Sequence, residues 1–390
     1  MTDIRAGGDR DGVASLRALD RSELEGLVLD CPEGCAYCCL CPPELLNGEL
    51  ERFLSLRPNA VERRWGSFHL ALQGGQGACT LLRDRRCQDY EGRPFHCRAF
   101  PIRIHFLYRI QACAILSCRG IRGGGWSLPE AQAGPRRFNG SASPPEAPAG
   151  LGHRDERIQR APVPLTELLD AILSEGQERA RAMSASAEAA WSRFSRRARR
   201  AGMLTDPRDL RAAMSSEIDL WPDGIHAEEE EAREIAIGVF GARDLMELPI
   251  YLSPDLSWHV FRIRSGALTR HILHEDGSLS PAGRWRLEDV PLLELDAAGK
   301  EELRRYLQLL NRRDSTLAAA AHVTASGGFG EELEEVYYDT LRDCALDLWW
   351  RSSLLARING ANTIGGAELR EGVVFCDADF LDMSGIGGML

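Results

Sequence analysis

The sequence predicts an α+β protein, with a small cysteine-rich domain followed by a larger, mainly helical domain that carries a small antiparallel sheet. Three observations carry this prediction. Ten of the twelve cysteines precede residue 120, and five of them crowd into the eleven residues CPEGCAYCCLC from Cys31 to Cys41. Apolar residues recur at helical spacing through much of the chain beyond residue 164. Between about 249 and 295 the pattern changes to short alternating runs, SWHVFRIR, ALTRHILHEDGSL and RWRLEDVPLLEL, which read as strands with EDGS as a turn.

Composition sets the bounds. A chain of 390 residues is longer than one compact domain needs, and the expected division is 1–122, a linker or excursion at 123–163, and 164–390. With 44% hydrophobic and 27% charged residues the chain can bury a core without disulfides. MTDIRAGGDRDG lacks the apolar stretch of a signal peptide, and no run approaches the roughly 18 apolar residues of a membrane span. A cytoplasmic protein without membrane contact is expected, and in that compartment clustered cysteines bind metal or do redox chemistry more often than they form disulfides. The net charge of −11 argues against a nucleic-acid partner. From Cys79 to Arg122, however, nine arginines face three acids. Such an excess lowers thiol pKa and offsets thiolate charge. It also fits a simpler account, since Lys300 is the only lysine and arginine is this chain's ordinary cation.

Taken in order, DRSELEGLVLD predicts a short helix before the cysteine run. PPELLNGELERFLSL predicts a helix with prolines at its entrance. After the GGQGA break, CTLL reads as a short strand, and PIRIHFLYRIQACAIL as strand or hairpin. The 123–163 stretch is too rich in Gly, Pro, Ala and Ser to pack by itself. TELLDAILSEGQERARAMSASAEAAWSRFSRRARRAG holds one long helix or two, and DPRDLRAAMSSEIDL and HAEEEEAREIAIGVFGARDLMEL follow as helices with acidic starts. Two more helical stretches, AAGKEELRRYLQLLNRR and FGEELEEVYYDTLRDCALDLWWRSSLLARING, close the fold. Cys344 falls on their apolar stripe as a core thiol. The CDADFLDMSGIGGML tail reads as a docking strand, with Cys376 and its neighbouring carboxylates as a weaker metal-site candidate. His271 and His274 lie in a strand-like run, where odd separations point to opposite faces.

The cysteines carry the functional argument. Their spacing is C-x3-C-x2-C-C-x-C, followed by Cys79, Cys87, Cys97, Cys113 and Cys118. Soft thiolates select zinc, iron or iron–sulfur clusters, and short gaps let one loop give several ligands to one centre. The adjacent Cys38 and Cys39 side chains are expected to diverge unless the loop bends sharply. The alternative is a set of inert buried thiols, which five cysteines in eleven residues make improbable.

The stretch CTLLRDRRCQDYEGRPFHCRAFP, together with the opening Cys31, Cys35, Cys38 and Cys39, resembles the YkgJ-type cysteine-cluster family of zinc- or iron-chelating domains. The resemblance runs through Cys79 and Leu82 to Cys87, Tyr90, Arg93, Pro94, Cys97, Arg98, Phe100 and Pro101, and covers about residues 28–120. It implies a metal site drawn from Cys31, Cys35, Cys38, Cys39, Cys79, Cys87, Cys97 and Cys118, with Cys41 and Cys113 outside the pattern. The family includes flagellin lysine-N-methylases, so redox chemistry or modification of a protein partner is implied, although no methyl-donor motif follows here. The cofactor expected is one or two iron–sulfur clusters of the [4Fe-4S] kind, or else zinc in a non-catalytic assembly module. An all-sulfur set beside arginines leans to iron–sulfur. Arg93 and Arg98 are the cofactor-side candidates, either donating to sulfur or substrate, or pairing with Asp84, Asp89 or Glu91 to fix the fold. His96, beside Cys97, is a weaker ligand candidate.

Overall fold

The computed structural model describes residues 19–64, 66–126, 161–203, 206–224 and 229–389; most of the Gly/Pro/Ala/Ser-rich segment, residues 127–160, lies outside them. The fold is α+β. The described residues open with a single 3-10 turn at Ser22–Leu24 and then strand β1 (Leu27–Leu29), where a helix was expected. Gly26, at φ +72°, ends the turn, and β1 is claimed by strand partners far along the chain. Helix α1 (Asn47–Leu56) starts beyond the prolines that seemed to mark its entrance, and Glu49 accepts the Leu46 amide at 3.1 Å to cap it. Hairpins β2 (Val61–Arg64) with β3 (Ser67–Leu70) and β4 (Leu82–Arg83) with β5 (Arg86–Cys87) follow, then the short helix α2 (Phe95–Ala99). The expected hairpin is present as β6 (Ile102–Phe106) and β7 (Ile110–Ala114), and β8 (Ile121–Gly123) and β9 (Val163–Pro164) flank β1 on either side.

Gly176 divides the next helical stretch into α3 (Leu165–Glu175) and α4 (Gln177–Ala201). After α5 (Pro207–Gly224) and α6 (Glu229–Phe240) comes the expected sheet, a meander of β10 (Ile250–Leu252), β11 (Trp258–Arg264), β12 (Ala267–Leu273) and β13 (Leu279–Arg286). Four helices close the fold: α7 (Ala297–Arg312), α8 (Asp314–Ser326), α9 (Leu333–Ile358) and α10 (Gly366–Leu381). The residues CDADFL belong to α10 and are largely buried, so the tail proper is only the part beyond it. There β14 (Gly388–Met389) docks on β6 as an edge strand. Among the described residues no helix is long and apolar enough to cross a membrane.

One apolar core runs through both parts. It joins Leu24, Phe95 and Ile104 near the cysteines to Leu169, Leu303, Trp350 and Phe375 of the helices, and Cys344 lies within it as expected. Its seam is ionic. The wholly buried Arg313 donates to Glu23 Oε1 (2.7 Å), Asp377 Oδ1 (2.6 Å) and the Ala114 carbonyl (3.0 Å). Asp377 also accepts the Tyr306 hydroxyl (2.7 Å) and the Leu116 amide (2.6 Å). A second buried pair, Arg119 with Glu371, receives support from Tyr251 and the Leu252 carbonyl.

Breaking this seam leaves a buried charge unpaired. Asp377→Ala is expected to lower unfolding free energy by about 3–5 kcal/mol, read from denaturant unfolding. Burial also holds His105 and His259 down to about 3, helped by Arg313 and Arg270 respectively. Both stay neutral in the fold while the unfolded chain takes up protons near 6.5. Stability should therefore fall as pH drops from about 6.5 towards 4, and His105→Gln should flatten that fall in urea midpoints measured across the range.

Candidate metal centre

The cysteine loop is shaped by backbone conformations that few residues adopt. Gly34 (φ +76°) and Ala36 (φ +47°) turn the chain left-handed just before a 3-10 turn at Tyr37–Cys39. The two neighbouring thiols Cys38 and Cys39 influence one another's titration within this bend. The loop is clamped from outside by the Trp258 indole and Arg85, which both donate to the Cys35 carbonyl, at 3.1 and 3.3 Å. Arg85 lies 3.5 Å over the Trp258 ring.

Other segments deliver the remaining thiols. The Cys79 amide donates to the Cys39 carbonyl (2.7 Å), and the Leu82 amide to Cys79 (2.8 Å). In the β4–β5 hairpin Cys87 lies opposite Leu82. Cys97 rides on α2, whose Phe95 amide is held by Glu49 at 2.6 Å. Cys118 follows β7, and the Asp30 amide reaches the Gly120 carbonyl at 2.7 Å, which brings the 118–120 turn against Cys31.

Charge ties these thiols together. Burial first, and then neighbouring sulfurs, push up Cys31, Cys87, Cys97 and Cys118, take Cys35 to about 12 and Cys79 to about 11. In each of these six, Cys38 is one of the sulfurs responsible. Cys38 itself goes down, because the Cys39 thiol donates to it and Arg93 stands near; Cys39 goes up in return. Arg93 favours the thiolate of Cys31, Cys38, Cys87 and Cys97 alike. It is held in place by its own donation to the Tyr90 carbonyl (2.9 Å) and by stacking on the Tyr90 ring. Arg98 does different work: it donates to the Arg93 carbonyl and pairs with Glu175, with Glu49 at 3.8 Å.

Most of the arginine excess is likewise structural. Arg103 pairs with Asp382, Arg109 with Asp20 and Asp314, and Arg119 with Glu371. Sequence reasoning missed these pairings because each acid except Asp20 lies more than 200 residues away along the chain. The remaining cysteines stand apart. Cys41 is influenced by Arg103 and Asp382, Cys113 by Glu23 and Arg313, and no thiol figures among these influences. Cys376 is buried in α10 and donates to the Val373 carbonyl; its neighbours Asp377, Asp379 and Asp382 are taken by Arg313, Arg351 and Arg103. His96 is lowered to about 4 by burial and by Arg179 and Arg103, with Glu44 at 4.0 Å, and no sulfur figures among its influences. His271 bonds Thr269 and His274 bonds Ser280.

By donor type, eight soft thiols from five chain segments beside one guanidinium fit a zinc or iron centre. Among the described residues, no three His, Cys, Asp or Glu side chains converge closely enough to hold a metal ion. Residues 30–114 match the family model CxxCxxCC, described as "Putative zinc- or iron-chelating domain". No curated protein and no solved structure matches the chain.

The loop before Cys79 is also keyed to the distant sheet. The turn after β12 lies against it, with the Ala78 amide donating to the Glu275 carbonyl (2.8 Å) and the Arg85 amide to the Glu275 carboxylate (2.7 Å). A Cβ on Gly74 or Gly77 would strike the backbone of this turn. Gly77→Ala is expected to cost about 1–3 kcal/mol in denaturant unfolding and to raise alkylation rates at Cys35 and Cys79, read by mass spectrometry.

Proposed function

We propose that this chain is a cysteine-cluster protein that binds iron as one or two iron–sulfur clusters and serves redox chemistry or the modification of another protein. The observation that carries the reading is the gathering of eight thiols from five separated segments within charge reach of one another, while Cys41, Cys113, Cys344 and Cys376 stand elsewhere. Neighbouring sulfurs, with Cys35, Cys79 and Cys118 buried, repel one another as thiolates, and a bound cation is what relieves that repulsion. Cys31, Cys35, Cys38, Cys39, Cys79, Cys87, Cys97 and Cys118 would hold the metal. Such a cluster, when bound, supplies one-electron chemistry. The protein's own part is to bury Cys35, Cys79 and Cys118, to set Arg93 as a donor towards cluster charge, and to fix Arg93 through Arg98. The exposed Cys31 marks the side on which a protein partner would approach.

A second reading is a zinc-stapled assembly module. It is supported by the way the cysteine loop is bound into the fold, with Trp258 and Arg85 bonded to Cys35 and the sheet turn locked on Ala78. Metal and sulfide analysis of anaerobically purified protein separates the two. Iron with matching acid-labile sulfide and a brown colour bleached by reduction supports the first reading; colourless protein with stoichiometric zinc supports the second. Cys35→Ala and Cys97→Ala are expected to lose metal and stability, and Cys344→Ala to keep full metal content. Equal loading of all three would remove the assignment.

A further inference from the structure

We propose that the outer face of the meander is a docking surface for an extended acidic segment of a partner protein, held by Arg262, Arg264, Arg284 and Arg286. This goes beyond the metal reading above and does not rest on it. Register brings the four arginines together. Arg262 lies opposite Thr269 and Thr269 opposite Arg284; Arg264 lies opposite Ala267 and Ala267 opposite Arg286. Residues two apart on a strand, and those directly across from each other, share a face. The six therefore form two columns of arginine on either side of a floor made by Ala267 and Thr269. The opposite face, with Phe261, Ile263 and Leu268, is the one buried in the main core. Arg264, Arg284 and Arg286 are exposed, and Arg262 is half-buried.

Arg103, Arg109 and Arg119 are matched by acids, but most of this grid is not. Among the described residues Arg286 has a carboxylate partner, Glu288, whereas Arg262, Arg264 and Arg284 have none. The Nε of Arg262 is buried without a hydrogen-bond partner among those residues. Charges on an edge strand also deter pairing with stray strands, but Arg262 and Arg264 lie on the interior strand β11, where that need is absent. An open hollow of about 570 Å³ lies against Ala267, Arg284 and Arg286, with Glu288 and Asp289 also on its wall. Arginines on one strand stand about 7 Å apart and the two columns about 10 Å apart. Carboxylates two residues apart on an extended peptide repeat at the same distance of about 7 Å, so one segment can meet both arginines of a column. Nucleic acid fits less well. The six positions carry no aromatic ring for base stacking, Trp285 being packed on the core side, and the chain's net charge is −11.

The test is fluorescence anisotropy of the full chain with a labelled peptide of alternating glutamate and threonine. Saturable binding that weakens as salt rises is expected. Arg264→Glu combined with Arg284→Glu should weaken it about tenfold or more. Arg199→Glu combined with Arg200→Glu makes the same charge change at exposed arginines of α4 and should leave binding unchanged. A readout that needs no variant is arginine modification of the wild type by phenylglyoxal, mapped by mass spectrometry. There the peptide should protect Arg264 and Arg284 and leave Arg199 and Arg200 reactive. Equal weakening by the two double variants, protection elsewhere, or no saturable binding overturns the proposal. Tighter binding of a labelled uridine oligonucleotide than of the peptide, lost in the Arg264→Glu and Arg284→Glu variant, overturns the choice of partner and gives the face to nucleic acid. None of these outcomes touches metal content, so the cysteine-cluster reading is tested separately.

Discussion

The rest of the structure depends on one buried guanidinium. Arg313 has no exposed surface, and its charge is tolerable only because Glu23 and Asp377 close on it from opposite ends of the chain. Those acids are not passive counter-ions. Glu23 also takes the Ala114 amide and Asp377 the Leu116 amide, so the strand that leads to Cys118 is bonded on both sides of its last residues to the same charge network. The position of Cys118 is therefore inherited from helices assembled two hundred residues later.

The cysteine-rich segment shows the same logic in smaller form. Its loop is bent by Gly34 and Ala36, but the bend is held by Trp258 of the meander and by Arg85, and the guanidinium facing the thiols is held by another guanidinium. Most arginines near the cysteines turn out to be clamps to acids elsewhere, leaving Arg93 as the one whose charge bears on four of the thiols. A local excess of positive charge in sequence is thus divided between joining the fold and tempering sulfur.

The sequence made the family match over residues 30–114 legible because short cysteine spacings and the R-P-x2-C-R-x-F-P run have few other uses. It made the β6–β7 hairpin and the meander legible because alternation is a local signal. What it hid was non-local. The segment 20–30 looked helical, yet β1 exists because strands at 121–123 and 163–164 hydrogen-bond to it. The end of helix α10, CDADFL, was read as part of a tail because it is largely buried, and a helix without a polar face shows little periodicity. Arg313 passed unnoticed and Asp377 was read only as a carboxylate beside Cys376, since nothing in NRRDS or CDADF announces a partner across the core. The bend before Cys38 and Cys39 was hidden for a related reason: Ala36 adopts a left-handed conformation that its residue type does not advertise.

The fit between Gly74, Gly77 and the Glu275–Gly277 turn carries a consequence for evolution and engineering. Two loops separated by about two hundred residues share one steric envelope, so neither can gain a side chain or an insertion without the other yielding. A chimaera that transplants the sulfur-bearing segment into another scaffold would have to bring that turn with it, or supply a surrogate of the same contour.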